Sequence, residues 1–410
     1  MTTDMSPAAP SPAPPSTAEP GEGKQQNLLQ EILSGSWLVS ALSIVVALLL
    51  GGVLIAVSNS EVIEAGKNLF AAPGAFFSTL FSTVGDAYSA LFRGAVFDWN
   101  ARTTERAIRP LTESMVSATP LILTGLGIAM AFRSGLFNIG GQGQVILGAT
   151  IAGYLGYALH LPPVVHMLIA AIGGIIGGAV WAGIAGVLKA RTGANEVIVT
   201  IMLNSIAGYL LGYLLKQSWF THTNSANPQS RTLDDSSQMF LLLPAPFRLH
   251  FGFIIAILAT IFVWWLLERS TIGFEFKAVG ANPHAARTAG ISVSKVTILV
   301  MIVAGALAGL GGAAQVLGTE YKLTGGISGS IGFDAITVAL LGRSKPLGTF
   351  FAGLLFGAFK AGGYLMQSQT GTPIDIVLVV QSVIVLLIAA PPLVRSIFRL
   401  PAPVLKRKEA

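Results

Sequence analysis

The chain has 410 residues, of which 52% are hydrophobic and only 11% are charged, against about 25% charged residues in an ordinary soluble domain. So few charges cannot cover a water-soluble globular protein, and the lack of cysteine excludes a disulfide-stapled secreted domain and a cysteine-ligated metal site. What remains is a polytopic membrane protein, and its net charge of +6 is too small and too scattered to indicate nucleic-acid binding.

Residues 1–36 are predicted to form a disordered cytoplasmic tail. Six prolines fall within residues 1–23, and such a composition cannot bury enough surface to offset its ordering entropy. The stretch lacks the basic start and short apolar core of a signal peptide. We therefore expect the first apolar run, Trp37 to Ser58, to remain as an anchor helix.

Residues 37–112 are predicted to combine this anchor with an external interfacial segment. Apolar residues recur at helical spacing between Phe77 and Ala95, interrupted by Asp86, Arg93 and several hydroxyl residues. This pattern predicts an amphipathic helix that lies in the membrane interface rather than crossing the bilayer. Residues 98–113 alternate in charge and are expected to be aqueous.

Nine further apolar runs fill a predicted membrane domain, residues 113–395, and bring the expected number of transmembrane helices to about ten. They lie at about 114–132, 142–159, 163–188, 196–215, 250–267, 295–317, 333–342, 347–366 and 374–394. The run at 333–342 is too short to cross alone, so we expect a broken or re-entrant segment that includes the glycine-rich stretch 325–329. The predicted fold class is an all-α polytopic membrane protein.

Basic residues set the predicted orientation. With the N-terminus inside, the cytoplasmic side receives most of the Lys and Arg of the short loops and the basic tail, residues 396–410. Basic residues on the other side fall mostly in two long loops, 59–113 and 216–249, which count little in this rule. Both termini are therefore expected to be cytoplasmic.

Two short matches point to an internal duplication. Thr192-Gly193 precedes a run with Leu203-Asn204-Ser205, and Thr370-Gly371 precedes a run with Val380-Gln381-Ser382. In the predicted topology the two runs cross in opposite directions, as in the inverted repeats of many transporters. Chance similarity is the competing explanation.

The first candidate site is an amide-rich break between two apolar runs, from Arg133 to Gln144. It holds Asn138, Gln142 and Gln144 among four glycines. Glycine lets the backbone unwind, and amides both donate and accept hydrogen bonds, which suits sugars, nucleobases and other uncharged polar solutes. A short cytoplasmic loop with ordinary polar residues is the alternative interpretation.

A second candidate site begins at Asn195 and Glu196. Asn204 follows Glu196 by eight residues, so the two can share one helix face, although Glu196 is equally well explained as an interfacial acid at a helix N-terminus. Lys360 is interpreted as snorkelling from near the outer end of its span. Lower-ranked polar candidates are Gln315, Asp334, Asp375 and Gln381.

The segment 269–295 is the most distinctive polar piece. Asn282 can cap a helix that Pro283 opens at its first turn, and Gly290 can close it after about two turns. Such a helix suits docking into a groove on another protein. A structured loop without a partner is the alternative.

Several familiar motifs are missing from the sequence. It has no metal-ligand spacing, no nucleophile elbow and no P-loop. The lack of intramembrane acid–base pairs argues against a proton-coupled secondary transporter, and a membrane enzyme would need a catalytic cluster. Glycine pairs at GxxxG-like spacing predict close helix packing: Gly173/Gly177, Gly174/Gly178, Gly305/Gly309 and Gly353/Gly357.

Four stretches resemble the permease subunits of bacterial ABC importers, in the nucleoside and simple-sugar group related to the branched-chain amino acid permeases. The stretches are Thr119–Leu126, Gly135–Gln144, Gly193–Asn204 and Ala278–Ile291. With the run Gly305–Gly312, the resemblance covers about residues 110–395.

The resemblance implies a mechanism and a set of partners. Two permease chains, often a related but different pair, would form a channel across the bacterial inner membrane. A separate cytoplasmic ATPase would use ATP and Mg²⁺, so this chain itself would be no enzyme and would hold no cofactor. An extracytoplasmic binding protein or lipoprotein would deliver the solute, a nucleoside as first choice and a pentose or similar sugar as second.

The resemblance also assigns roles to residues. The ATPase-coupling role falls on Gly280, Asn282, Pro283, Ala285, Ala286, Arg287 and Gly290. The substrate-pathway role falls on Phe137, Asn138, Gln142, Gln144, Asn195, Glu196 and Asn204. Gln142 stands where nucleoside relatives often carry an acid, which leaves the preferred solute open.

Overall fold

The structure, a computed structural model, describes residues 36–221 and 228–399. The predicted tails lie outside this part of the chain, except for residue 36 and residues 396–399. The helices of the described part are α1 (Ser36–Ser58), α2 (Ser60–Lys67), α3 (Pro73–Ala95), α4 (Thr104–Arg133), α5 (Gly141–Ala158), α6 (Pro163–Thr192), α7 (Glu196–Leu214), α8 (Gly252–Arg269), α9 (Thr271–Ala281), α10 (Pro283–Thr288), α11 (Val293–Gln315), α12 (Ile331–Leu341), α13 (Pro346–Thr370), α14 (Asp375–Ala389) and α15 (Pro391–Ile397).

Six of the described helices are long and apolar enough to cross a membrane. They are α4, α6, α7, α8, α13, and α11 together with the π-helical turn Val316–Glu320 that continues it. The pair α1–α2, which bends by 77°, is a seventh candidate if it counts as one span. The protein is therefore an all-helical, multi-pass membrane protein.

Each of the ten predicted apolar runs contains a helix. Three of these helices are too short or not apolar enough to count as membrane spans. α5 is rich in glycine, while α12 and α14 have only 11 and 15 residues. At about 1.5 Å per residue, α12 covers only about half of the roughly 30 Å hydrocarbon core. It is too short to cross alone, and the broken or re-entrant segment expected here stays a prediction.

Two further elements bear on the predictions. The predicted amphipathic helix exists as α3, and its place in the membrane interface stays a prediction. Residues 104–113 form the first turns of α4, and their expected aqueous location stays a prediction. Thr103 caps that helix, since its hydroxyl accepts a hydrogen bond from the Arg106 amide at 3.4 Å.

α6 and α11 pack at backbone contact through small residues. A Cβ placed on Gly309 would collide with the carbonyl oxygen of Gly174 and lie 2.9 Å from the Cα of Gly178, and one on Gly305 would collide with the carbonyl of Gly178. α5 joins the same contact, because Gly148 lies against Gly309. The predicted role of the paired glycines in close packing is confirmed.

α4 and α13 pair in an equivalent way. Gly357 of α13 lies against Ser114 and Ala118 of α4, and Gly353 lies against Ile122. As the residue numbers rise along one helix of either pair, those of its partner fall. Both pairs are therefore antiparallel, and α4 with α13 repeats the arrangement of α11 with α6.

The same correspondence extends to the helix ends. α6 and α13 both end at a Thr-Gly pair whose glycine, Gly193 or Gly371, has a positive φ of 71° or 66°, a conformation that costs glycine little. α4 and α11 also cross antiparallel, with Gly127 against Ala304 and Gly311 against Pro120. These contacts are those expected of two inverted units, α4–α7 and α11–α14.

Candidate functional site

Three of the predicted pathway amides hold the N-terminal end of α5 in place. Asn138 and Gln144 form a reciprocal pair, with N···O distances of 3.1 and 2.9 Å, and both side chains are buried. Asn138 also accepts from the Gly140 amide at 3.0 Å. Asn204 of α7 accepts from the Gly143 amide at 2.8 Å and donates to the Ile139 carbonyl at 2.9 Å. These bonds satisfy backbone groups that a helix start leaves without partners.

Gln142 connects the start of α5 to the start of α12. Its amide nitrogen donates to the Ser328 hydroxyl at 2.8 Å and the Gly329 carbonyl at 2.6 Å. Its amide oxygen accepts from the Gly332 backbone N–H at 2.8 Å. A Cβ on Gly332 would collide with the backbone of Gln142, so the two helix starts meet at close range. We call this contact the α5–α12 seam.

The other three predicted pathway residues lie near the start of α7. Asn195 is its exposed N-cap and accepts from the Val197 amide at 2.9 Å. Glu196 forms a 2.5 Å ion pair with Lys189 at the end of α6. Phe137 is exposed and its ring lies 5.4 Å from that of Phe132. The structure thus gives Asn195 and Glu196 local structural contacts, and the pathway role of all seven residues stays a prediction.

One cavity among the described residues has a volume of about 740 Å³ and is lined by side chains of both signs of charge. We call it the outer cavity. Its lining includes the positively charged Arg106, Arg109, Arg248 and Lys360 and the acidic Asp98, Glu113 and Glu320. None of the seven predicted pathway residues lines it.

The charges of the outer cavity largely compensate each other. Glu113 pairs with Arg109 at 3.3 Å and with Arg248 at 3.7 Å. A hydrogen bond from Arg93 at 2.7 Å keeps the pKa of Asp98 below its usual value, so this acid is ionised at neutral pH. A polar lining of nearly balanced charge suits an uncharged polar solute better than an anion.

A second cavity, of about 180 Å³, lies beside the outer one and shares Lys360 and Tyr364 with it. We call it the inner cavity. Ser330 and Asp334 of α12, Phe356 of α13 and Gln381 of α14 complete its polar and aromatic lining. Gln142 bonds to Ser328, Gly329 and Gly332, and Ser330 of the cavity lies between them in the chain. The inner cavity is therefore next to the α5–α12 seam.

The cavities therefore contain residues that the sequence analysis ranked low, together with Lys360, which it interpreted as snorkelling. Asp334, Gln381 and Lys360 line the inner cavity, and Gln315 and Lys360 line the outer one. The sequence did indicate these residues, since polar side chains inside apolar runs usually face a pathway or a partner helix. Their spacing in the sequence does not show that four separate helices bring these residues to the two cavities.

The predicted coupling segment folds as two short helices, of which only the second was expected. Asn282 caps α10, accepting from the amides of His284 and Ala285 at 3.0 and 3.1 Å, and Pro283 opens it as predicted. Gly290 follows with a φ of 85°. α9 precedes them, and the sequence analysis missed it.

The segment is fixed to the end of α4. A Cβ on Gly280 would collide with the Arg133 carbonyl. Arg133 also pairs with Glu268 at 2.7 Å, and Lys277 pairs with the same acid at 3.2 Å. Gly280 therefore serves close packing of the segment onto the helical bundle.

Exposure divides the predicted coupling residues into two groups. Ala286 is only 4% exposed, so its side chain packs within the protein and cannot present itself to a partner in this state. The coupling role that the resemblance assigns to Ala286 stays a prediction, and its burial favours a role in packing the segment. The members exposed to solvent are Asn282, Pro283, Ala285, Arg287 and Gly290.

The cavities and the segment lie at opposite ends of the bundle. Along α4, the outer cavity contacts residues 106–117, the inner cavity contacts Leu121, the α5 start contacts Thr124 and Ile128, and the segment contacts Arg133. The space open at one end is thus closed towards the other by the α5–α12 seam.

Replacing Gln142 with leucine is expected to loosen this seam. The change removes three hydrogen bonds, each contributing about 1 kcal/mol. The backbone amide of Gly332 should then exchange hydrogen at least about tenfold faster. Hydrogen exchange followed by mass spectrometry on the peptide that contains Gly332 measures this.

The exposed Gln367, on α13 and outside both cavities, provides the matched control as Gln367→Leu. Unchanged exchange at Gly332 in Gln142→Leu would mean that backbone packing alone closes the seam.

A family model described as the permease component of the branched-chain amino acid transport system matches residues 111–389. A guanosine ABC transporter permease of Bacillus subtilis is 39% identical over 75% of this chain and 86% of its own length. A nucleoside ABC transporter permease of Lactococcus lactis is 38% identical, covering 68% of this chain and 79% of its own. A glucose ABC transporter permease of Haloferax volcanii is 33% identical, covering 67% and 75%. No solved structure matches the chain.

Proposed function

Since the chain belongs to the family of branched-chain amino acid transport permease components, we propose that it is the membrane-spanning subunit of an ATP-driven importer for nucleosides. The fold and the family make it an ABC transporter permease. The guanosine and nucleoside permeases among its relatives favour a nucleoside as the solute. The glucose permease among them supports a simple sugar as the alternative.

One observation carries this proposal: a polar cavity that narrows within the bundle and ends at a closed seam. The outer cavity offers balanced charge and the inner cavity offers an acid, an amide and aromatic rings. This lining suits a neutral solute with a planar ring and several hydroxyl groups. A cavity open at one end only is the arrangement that alternating access requires.

The partners follow from the same proposal. A separate ATPase would dock on α9 and α10 and use ATP and Mg²⁺. It would supply the energy for transport, since this sequence has no P-loop with which to bind ATP. A second, paralogous permease would complete the channel, and an extracytoplasmic binding lipoprotein would deliver the solute to the outer cavity.

The proposed location is the bacterial plasma membrane. The segment end of the bundle would be cytoplasmic and the cavity end external. Arg133, Lys189 and Lys277 lie at the segment end, which agrees with the preference of basic residues for the cytoplasmic side. Both termini would then be cytoplasmic, and the long loop that ends at residue 251 would be external.

Uptake of labelled solutes tests the proposal in a host that produces the complete transporter and lacks its own nucleoside uptake. We expect uptake of guanosine that stops when ATP is depleted and continues when an ionophore collapses the ion gradients. Excess unlabelled nucleosides should compete with it, and ribose or glucose should not.

The reverse energy dependence would identify an ion-coupled secondary transporter instead. Uptake of the labelled sugar in place of guanosine would select the sugar alternative. A host carrying the ATPase and partner genes without this chain is the control for uptake by other routes.

A further inference from the structure

Gln381 is a largely buried residue whose amide has no hydrogen-bond partner among the described residues. Its side chain is only 6% exposed and lines the inner cavity. Among the described residues no group donates a hydrogen bond to it or accepts one from it. Because Gln381 lines the cavity, its amide is available to donate a hydrogen bond to an occupant of the cavity and to accept one from it.

Asp334 offers a second polar group on the other side of the same cavity. Its Oδ2 atom accepts a hydrogen bond from the Ser330 hydroxyl at 2.5 Å. A carboxylate has two oxygens and about four acceptor sites, so capacity remains for donors from a ligand.

Aromatic rings form part of the remaining wall. Phe356 is buried to 3% exposure, and Tyr364 stands where the two cavities join. Flat rings pack well against a planar heterocycle. The combination of a carboxyl group, an amide that both donates and accepts, and an aromatic wall matches a base with N–H donors and ring acceptors attached to a sugar.

We propose that the inner cavity is the solute-binding site of the permease, where Asp334 accepts hydrogen bonds from a nucleoside and Gln381 both donates to it and accepts from it. This inference rests on the proposed import of nucleosides. It differs from the pathway suggested by the sequence motifs, whose amides Asn138 and Gln144 bond to each other.

The site is also connected to the seam beneath it. Ser330, which bonds to Asp334, lies between Ser328 and Gly332, and both of these bond to Gln142. A solute that binds Asp334 therefore contacts the start of α12. The same helix start forms the α5–α12 seam, which separates the cavities from the coupling segment.

The test compares two cavity variants with two matched controls. Gln381→Leu loses no hydrogen bond within the described protein, so it is expected to fold, and the exposed Gln367→Leu is its control. Asp334→Asn removes the charge of a first-turn acid, and the exposed first-turn acid of α14, in Asp375→Asn, is its control.

Each variant is assayed in the complete transporter for uptake of guanosine and uridine, and co-purification of the ATPase is measured in parallel. We expect both cavity variants to assemble and to change the guanosine-to-uridine uptake ratio by about fivefold or more, as expected when one buried hydrogen bond is lost. Both controls should keep the wild-type ratio.

A structural defect would lower both rates by the same factor, so an unchanged ratio in both cavity variants overturns the binding site even if uptake falls. That result leaves nucleoside import standing as long as the wild type still takes up guanosine. Absence of nucleoside uptake in the wild type, with sugar uptake in its place, overturns both proposals. If Asp334→Asn fails to assemble, Gln381→Leu decides the matter alone.

Discussion

Gly309→Leu is expected to prevent the protein from reaching its folded state. The Cβ alone would collide with the carbonyl of Gly174 and crowd Gly178, and both obstacles are backbone that cannot turn aside as a side chain can. Since Gly148 of α5 also lies against Gly309, three helices would have to separate. We expect a destabilisation of at least about 3 kcal/mol, at the upper end of overpacking effects, and loss of the monodisperse peak in size-exclusion chromatography of the detergent-extracted protein.

Gly208→Leu is the matched control for this change. Gly208 lies in the apolar helix α7, and a Cβ there has nothing within 4 Å. This variant should elute as the wild type does, while Gly309→Ala should give an intermediate loss. A normal peak for Gly309→Leu would contradict the close approach of α6 and α11.

Ala285→Glu is expected to abolish solute uptake while the permease remains folded. Ala285 is exposed on α10 and lies in the first turn, where an acid interacts favourably with the helix dipole. The substitution therefore preserves the segment and places a bulky charge on the surface proposed to dock the ATPase. An unpaired charge buried in an interface should lower ATPase affinity at least about tenfold, or about 1.4 kcal/mol.

The measurement is co-purification of the ATPase together with uptake of labelled guanosine. Ala75→Glu is the matched control, because Ala75 is also the exposed third residue of a helix that begins with proline. Full ATPase binding and full uptake in Ala285→Glu would remove α10 from the docking surface. Ala286→Glu is a poorer probe, since this buried residue would report on packing of the segment instead.

Local features of the fold followed directly from local sequence. Asn282, Pro283 and Gly290 predicted a short capped helix, and α10 has those limits. Hydrophobic runs of sufficient length predicted the spanning helices, because the bilayer thickness fixes how many apolar residues a helix needs. The paired glycines predicted where helices approach each other, since only small side chains permit backbone contact.

The candidate site was less predictable because its residues are distant in sequence. Asp334, Phe356 and Gln381 belong to three helices, and no spacing rule relates them. The amides near Asn138 looked more suitable because they are close together. In the folded chain that closeness lets Asn138 and Gln144 form hydrogen bonds with each other. Both are buried and line neither cavity.

The sequence by itself determined that this protein crosses the membrane, which family it resembles and which segment projects as a capped helix, because these depend on composition and on residues near each other in the chain. The tertiary structure alone decided which polar side chains face a cavity. Burial and hydrogen bonding depend on the partners that packing provides: Asn204 finds the Gly143 amide at 2.8 Å, whereas Gln381 finds no partner in the described protein. That difference separates an amide that holds the fold from one that is available to a solute.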